Sequence, residues 1–429
     1  MALFKKRLQI KPTINRFYFW RSLFFTSLFF AFPTQAEIPL TEAYIIEKVI
    51  QQTSVQDWIE GSINEAQSNI DTVSHWDNPT FSYALELPGN RNQNPFENSY
   101  MLSQSIDLSG RRGLQQSAAK LRLQSVEAGN QSRLALFEAE TRLRFFDVLQ
   151  RQQRIKIIDT WVKRLYRLQK IIAQRELAGD VSGYDLKRLQ RESASAITWQ
   201  QTETSLLQQS WERLIALWEN PESVELSVMI KQGVSGVLLP ATPADLQYML
   251  AELDNNPTLR SLARQKSALD LNTEAAQRWK IPKFKLGIGA KTYDAPTYFD
   301  TGLLVTLDIP LPLWSQNNAE RLRFQAQTQQ AKSEYQLAYQ KIQGEIRALW
   351  QELKGLLEAV KLFKQQGQSV SDELIDIAIS SYQGGEIGVL ELLDAYREHR
   401  SFKLDIEELA YKARKASIEL DRLTAGMKP

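Results

Sequence analysis

The chain contains no cysteine in its 429 residues. That absence excludes a disulfide framework, a thiolate metal site and a lipid-modified cysteine. Histidine occurs only at His75 and His399, so metal chemistry has almost no imidazole to draw on. Neither His75, Trp76 and His399 nor the five methionines show a ligand spacing. Glycine is scarce, and no phosphate-cradling glycine loop occurs. No nucleophile–base pair and no paired acids in a cleft can be argued from the residues. No catalytic residue, no bound metal and no cofactor is therefore expected.

What is present begins with a targeting segment. Lys5, Lys6, Arg7, Lys11, Arg16 and Arg21 precede a short apolar run, Ser22 to Phe32, and the small residues around Thr34-Gln35-Ala36 suit a signal peptidase. The run is shorter than the ~20 residues of a membrane-spanning helix. Residues 1–36 are thus expected to be removed, which moves the net charge from +2 to −4. The basicity of the whole chain then gives no reason to expect nucleic acid as a partner. An exported chain without cysteine suits the bacterial envelope.

From Glu37 onward the hydrophobic period changes several times. Short helices are expected over Pro39–Gln52 and Val55–His75. Phe81, Tyr83, Leu85 and Leu87 then alternate with small or polar residues, as do Tyr100, Leu102, Ile106 and Leu108 beyond a polar loop, Gly89 to Glu97. Strands are expected within about 79–109. A helical pattern runs from about 112 to 178 with the stripe Ile155, Ile158, Val162, Leu165, Ile172. At ~1.5 Å per residue it would reach about 100 Å, which suits a coiled coil or a helical tube. A returning helix is expected over about 183–218, and an irregular linker over 220–242.

The programme then repeats. Helices over Pro243–Asn255 and Pro257–Lys280 precede two strands within about 282–309, where Phe284, Leu286, Ile288 and then Leu303, Val305, Leu307 alternate with polar or small residues. A second long helix is expected over about 318–383. Its heptad seam reads Ile346, Leu349, Leu353, Leu356, Val360, Phe363, Val370, Leu374 and Ile377, broken only at Gly367. A final helix spans about 389–425. The chain thus divides into a first repeat, 37–219, and a second, 243–429. Subtracting 206 lays YQGGEIGVLELLDAYRE (Tyr382 to Glu398) on the stretch ending LAGDVSGYDLKRLQRE (Leu177 to Glu192). Gly385 falls on Gly179, Glu386 on Asp180, Ile387 on Val181, Glu391 on Asp185 and Arg397 on Arg191. Each copy is a helix–helix corner. Glycine ends the incoming helix in the left-handed cap, and an acid sits in the first turn of the outgoing one, where the dipole favours it.

An isolated hairpin is marginal in water. Strands of about ten residues, apolar on one side and polar on the other, are what a closed membrane barrel uses. Four strands cannot close one, since the smallest have about eight, so the barrel must be shared between copies. Three copies would supply twelve strands. Tyr83, Tyr100, Phe284, Tyr298 and Phe299 are candidates for interfacial girdles, and Lys283, Lys285, Lys291, Glu86, Asp107 and Asp300 for the lumen. A soluble α+β protein with the hairpins packed on helices is the alternative at this point.

Three stretches, LSQSIDLSGRRG (Leu102 to Gly113), LDIPLPLWSQNN (Leu307 to Asn318) and the second corner, resemble the TolC family of outer-membrane efflux proteins, most closely its CzcC-type, heavy-metal branch. The similarity covers nearly all of the mature chain through the order of its parts. The resemblance implies a mainly α fold with membrane β: a duplicated β-hairpin and long-helix protomer, three copies of which form a 12-stranded outer-membrane β-barrel continued by a periplasmic α-helical barrel. It implies a passive exit duct for metal cations in the outer membrane of a Gram-negative bacterium. Its partners would be a periplasmic adaptor and an inner-membrane pump of the resistance-nodulation-division type. It places the corners, at Gly179, Asp180, Val181, Gly385, Glu386 and Ile387, against the adaptor. It also places Glu391, Asp394, Asp185 and Tyr382 at the tip aperture, where Glu391 and Asp394 of three copies would stack six carboxylates. The arginine that latches this tyrosine in relatives is absent, because Ile387 stands there. Capping and solvation are the alternative for these acids, and the plainer role for Asp180 and Glu386. A drug-efflux or type I secretion channel, or a periplasmic coiled-coil scaffold or adaptor, are the other readings.

Overall fold

The computed structural model describes residues 40–87, 96–219, 230–295, 297–314 and 317–425. The expected signal peptide, most of the loop Gly89–Glu97, much of the 220–242 linker and the chain end after Ala425 lie outside the described residues. Helices α1 (Glu42–Ile50) and α2 (Thr53–Ser74) lead into strands β1 (Thr80–Glu86) and β2 (Phe96–Ile106). Helix α3 (Arg111–Ala178) is one unbroken α-helix of 68 residues, about 100 Å at ~1.5 Å per residue. Helix α4 (Gly183–Ile215) returns along it. The second repeat gives α5 (Leu246–Ala251), α6 (Pro257–Gln277), β3 (Phe284–Ala295), β4 (Tyr298–Asp308) and α7 (Asn318–Leu362). A π-helical turn, Phe363–Gly367, leads into α8 (Gln368–Gly384) and then α9 (Val389–Leu423). The helix expected over Pro243–Asn255 shrinks to α5 and a 3₁₀ turn, because Asp245 caps α5 through the amides of Gln247 and Tyr248.

The four strands form one antiparallel sheet in the order β1-β2-β3-β4, so the two repeats join through β2 and β3. Register puts Phe81, Leu102, Ile288 and Val305 in one cross-strand row, with Tyr83, Tyr100, Ala290 and Leu303 in the next row on the same face. Apart from Ala290, these side chains are exposed to solvent in the protomer. The opposite face carries Ser103, Gly287 and Thr306 in one row and Ala84, Ser99, Lys291 and Gly302 in another. It has little room for side chains. A Cβ on Gly287 would meet Thr306 and Met101, and one on Gly289 would overlap the Tyr100 carbonyl.

Three buried clusters follow the helices. One lies around α1 and mid-α3, with Ile45, Phe145, Phe146, Trp211 and Ile418. Arg142 of α3 ties it at both ends, bonding Glu42 at 2.6 Å and Asp421 at 2.9 Å. A second gathers Leu253, Leu259, Ile346, Leu353 and Leu420. The third lies at the corners, with Leu165, Ile172, Leu189, Ile375 and Leu392.

The seam of the second long helix departs from the expected heptad. Ile346, Leu353 and Val360 are buried at seven-residue steps as expected. Beyond the π turn, however, Ile375, Ala378 and Tyr382 are buried, whereas Val370, Leu374 and Ile377 are exposed. A π turn holds one extra residue, which rotates everything after it and moves the seam on by one position. The cause is local. The Phe402 ring stacks on Phe363 at 5.4 Å between centroids and lies where a side chain at Gly367 would project, 2.6 Å from the Cβ position. Register also corrects two further expectations. Tyr298 shares the parity of Asp300 and Gly302 and so falls on the polar face, not in an outer girdle. Asp107 caps the start of α3, accepting from the Ser109 amide at 2.9 Å and pairing with Arg111 at 2.9 Å, instead of standing free in a lumen.

Candidate functional site

The two corners have one geometry, built by equivalent residues. Helix α3 ends at Gly179 with φ 82°, and α8 ends at Gly385 with φ 80°. In each, the glycine amide donates three residues back (Gly179 N to Glu176 O, 3.0 Å; Gly385 N to Tyr382 O, 3.2 Å). The next amide closes a wider loop (Asp180 N to Arg175 O, 2.9 Å; Glu386 N to Ser381 O, 2.9 Å). These bonds satisfy the last carbonyls of the helix, and the positive φ admits glycine without strain. Val181 and Ile387 then fold inward onto the corner cluster, while Gly179, Asp180, Gly385 and Glu386 stay exposed. Glu386 accepts from Ser381 Oγ at 2.9 Å.

The outgoing helices are capped alike. Ser182 Oγ accepts from the Asp185 amide at 3.2 Å and donates to its carboxylate at 2.7 Å. The Glu391 carboxylate accepts from the Gly388 amide at 3.1 Å. Asp185 and Glu391 therefore hold the third position of α4 and α9 and act as capping groups. An acidic side chain in the first turn also complements the helix dipole.

Asp394 behaves differently. It pairs with Arg397 at 2.9 Å, and Arg397 also grips Glu192 of α4 with both Nε (3.1 Å) and Nη2. Glu192 is only 8% exposed. Its carboxyl is held below the usual range, first by the Arg397 hydrogen bond, against the opposing effect of burial. Asp394 is thus not a free acid, since it shares Arg397 with Glu192. The pair joins the acid of one repeat to the base of the other.

Tyr382 is 6% exposed, with its ring beneath the Arg175 guanidinium at 5.1 Å. Among the described residues its hydroxyl has no hydrogen-bond partner. The cation on this tyrosine comes from the last turn of α3, in the other repeat, and nothing in the second corner's own sequence points to it. Arg175, Glu192 and Arg397 are the residues sequence reasoning missed here.

Of the expected lumen residues other than Asp107, Lys285, Lys291, Asp300 and, across the sheet, Glu86 have the parity of the polar side, while Lys283 stands just before β3. Lys283 pairs with Asp77 at 3.1 Å, and Lys291 contacts Glu97 and Glu86. Among the described residues no group of three or more His, Asp or Glu is placed to hold a metal ion, and no helix is long and apolar enough to cross a membrane.

Comparison with known proteins now bears on this arrangement. The model of the outer membrane efflux protein family matches residues 250–426, from the end of α5 through α9. The match lies within the second repeat, and there the chain resembles that family. It is 23% identical over 295 residues to the cobalt-zinc-cadmium resistance protein CzcC of Cupriavidus metallidurans, covering 68% of each chain. Its fold is similar to that of the outer-membrane channel OprN, with a TM-score of 0.74 at 17% identity over 90% of each chain. It is equally similar to the outer membrane protein VceC from Vibrio cholerae, with a TM-score of 0.74 at 15% identity over 90% of this chain and 97% of that one. The family's fold accounts for what the protomer leaves open: a four-stranded sheet with two bare edges, and long helices ending at exposed corners.

Proposed function

We propose that three copies close one 12-stranded barrel in the outer membrane, and that their helices continue it as a periplasmic tube ending at the paired corners. The observation that carries this is the sheet. Its apolar face is exposed and its edges, β1 and β4, are unpaired in the protomer. Exposed apolar strands with open edges are an aggregation hazard in water, whereas closure in lipid satisfies both. The Tyr83 hydroxyl bonds Asn98 at 2.8 Å, where the apolar rows give way to Asn98, Thr292 and Thr301. That is the amphipathic ring expected at a membrane–water boundary.

The corners Gly179, Asp180, Val181, Gly385, Glu386 and Ile387 meet a periplasmic adaptor, which links the duct to an inner-membrane pump of the resistance-nodulation-division type. Asp185 and Glu391, acidic residues at helix starts, line the aperture together with Asp394 and Tyr382, and draw cations towards it. Lys283, Lys285, Lys291, Glu86 and Asp300 line the barrel lumen with mixed charge. The cargo is metal cations, a reading supported by the resistance described for CzcC. Fractionation of the cell envelope and the mass of the protein in detergent test the duct: a trimer from the outer membrane is expected, and a soluble periplasmic monomer or dimer overturns it. Deletion followed by growth on cobalt, zinc and cadmium tests the cargo; unchanged tolerance to all three overturns the metal assignment.

A further inference from the structure

Away from the corners, one recess collects charge of a single sign. It lies between α3, α8 and α9 and has a volume of about 380 Å³. Lys156 and Arg164 of α3 line it together with Arg400 and Lys403 of α9, and His399 adds an imidazole. Asp372 of α8 is the one acid among the lining residues. It is already engaged, by Lys403 at 3.0 Å and by His399 Nδ1 at 3.7 Å. Lys156, Arg164 and Arg400 therefore have no acid in the recess to themselves. Glu192, which acts on Arg400 from α4, is itself held by Arg397. The Arg400 guanidinium lies 4.1 Å from the centre of the Trp161 ring and 4.3 Å from that of Trp199. Its Nε and Nη1 have no hydrogen-bond partner among the described residues, and neither has the buried Trp161 Nε1. Ring faces fix a cation in place without cancelling its charge. The recess is thus a pre-formed pocket of positive potential.

The duplication shows that this charge is not a by-product of the repeat. Subtracting 206 lays Arg400 on Ala194 and Lys403 on Ile197, and adding it lays Arg164 on Val370. Three of the four cations thus have apolar equivalents in the other copy. Concentrating cations costs repulsion, and a bound anion relieves it. We propose that this recess binds a small oxyanion of the phosphate class, held by Arg164 and Lys156 from one side and Lys403 from the other, over the positive field of Arg400. Phosphate carries about −1.5 to −2 charges at pH 7, which the unmatched cations can balance. Arginine and lysine are the side chains that recognise such groups. The bound anion would bridge α3 of the first repeat to α9 of the second. The site is complete within one protomer and does not require the proposed trimer.

The test is calorimetric titration of the full chain in detergent with inorganic phosphate up to about 10 mM, at fixed ionic strength with chloride as the balancing ion. Saturable binding of one phosphate per chain is expected. Arg164→Gln and Lys403→Gln should each weaken it about tenfold or more, as the loss of a charge-assisted contact does. Asp372→Asn should strengthen it, because the competing carboxylate is gone; a variant that merely misfolds cannot bind more tightly. The melting temperature of each variant without phosphate is read in parallel to show that it is folded. Absence of saturable heat from the parent chain overturns the site. So does binding that folded Arg164→Gln and Lys403→Gln leave unchanged, which would make phosphate an adventitious ion only. Equal heats from added chloride overturn it as well, by showing a general salt effect.

Discussion

The most exacting consequence of the sheet concerns Ile288→Lys. Ile288 sits in the row Phe81, Leu102, Ile288, Val305, flanked by the Leu286 row on one side and the Tyr83–Tyr100 row on the other. From Phe284 to Thr292 the strand advances about 27 Å at ~3.4 Å per residue, or about 20 Å along the membrane normal at a tilt of ~40°. That is close to the apolar band of ~25 Å, so Ile288 lies near its middle. A lysine on the lipid face at that depth costs about 2–4 kcal/mol. Three copies share one barrel, so the assembled channel loses about 6–12 kcal/mol if the sites act independently. Thr80→Lys adds the same charge on the polar face, in the row of Ser103 and Gly287, and should cost less than about 1 kcal/mol. Urea titration of folding into phospholipid vesicles, with outer-membrane yield in cells, compares the two. If Ile288→Lys folds like the parent while Thr80→Lys fails, the assignment of faces is reversed and the barrel argument falls.

Three further outcomes follow from the helices. Replacing Arg397 with Met leaves Glu192 buried beside Asp394 and should cost about 1–3 kcal/mol; restoring most of that loss with Glu192→Gln in the double variant would identify the pair as the source. Because Glu192 is held below its ordinary 4.5, its contribution is full above pH 4.5 and is lost as pH falls through the lower folded value. The acid limb of a melting curve should accordingly flatten in Arg397→Met. His399 runs in the other sense. Burial holds it below 6.5, with Arg164 and Lys403 disfavouring the proton and Asp372 and the Ser371 carbonyl favouring it. Lys156 and Arg400 line the same recess. The unfolded chain then binds more protons, so stability falls as pH drops through 6.5, and His399→Gln should remove that slope; an unchanged slope between pH 7 and 5 would refute the assignment. Gly367→Ala should cost about 1–3 kcal/mol through its clash with the Phe402 ring, read as a lower melting temperature, and Phe402→Leu should relieve it.

Much of this protein is legible as period and punctuation. Alternation of two residues marks β1 to β4, a seven-residue step marks the long helices, and glycine followed by an acid marks both corners. These are local demands of backbone and solvent, and so they survive in a single sequence. Sheet order and cross-repeat pairing are not local. Nothing near Glu192 announces that Arg397 will hold it, and nothing near Tyr382 points to Arg175. The π turn is the sharpest case. Gly367 shows as a break in the heptad, yet only the Phe402 ring packed against it reveals that the break inserts a residue and turns Leu374 outward.

The amino-acid sequence by itself determined the duplication, the order of elements and the two-faced strands, because each depends on spacing along the chain. Tertiary structure alone decided which face of α8 is buried, which partners the acids at the corners take, and how the two hairpins join through β2 and β3. Those depend on contacts between residues some 200 positions apart, whose energies appear only once both repeats are folded against each other.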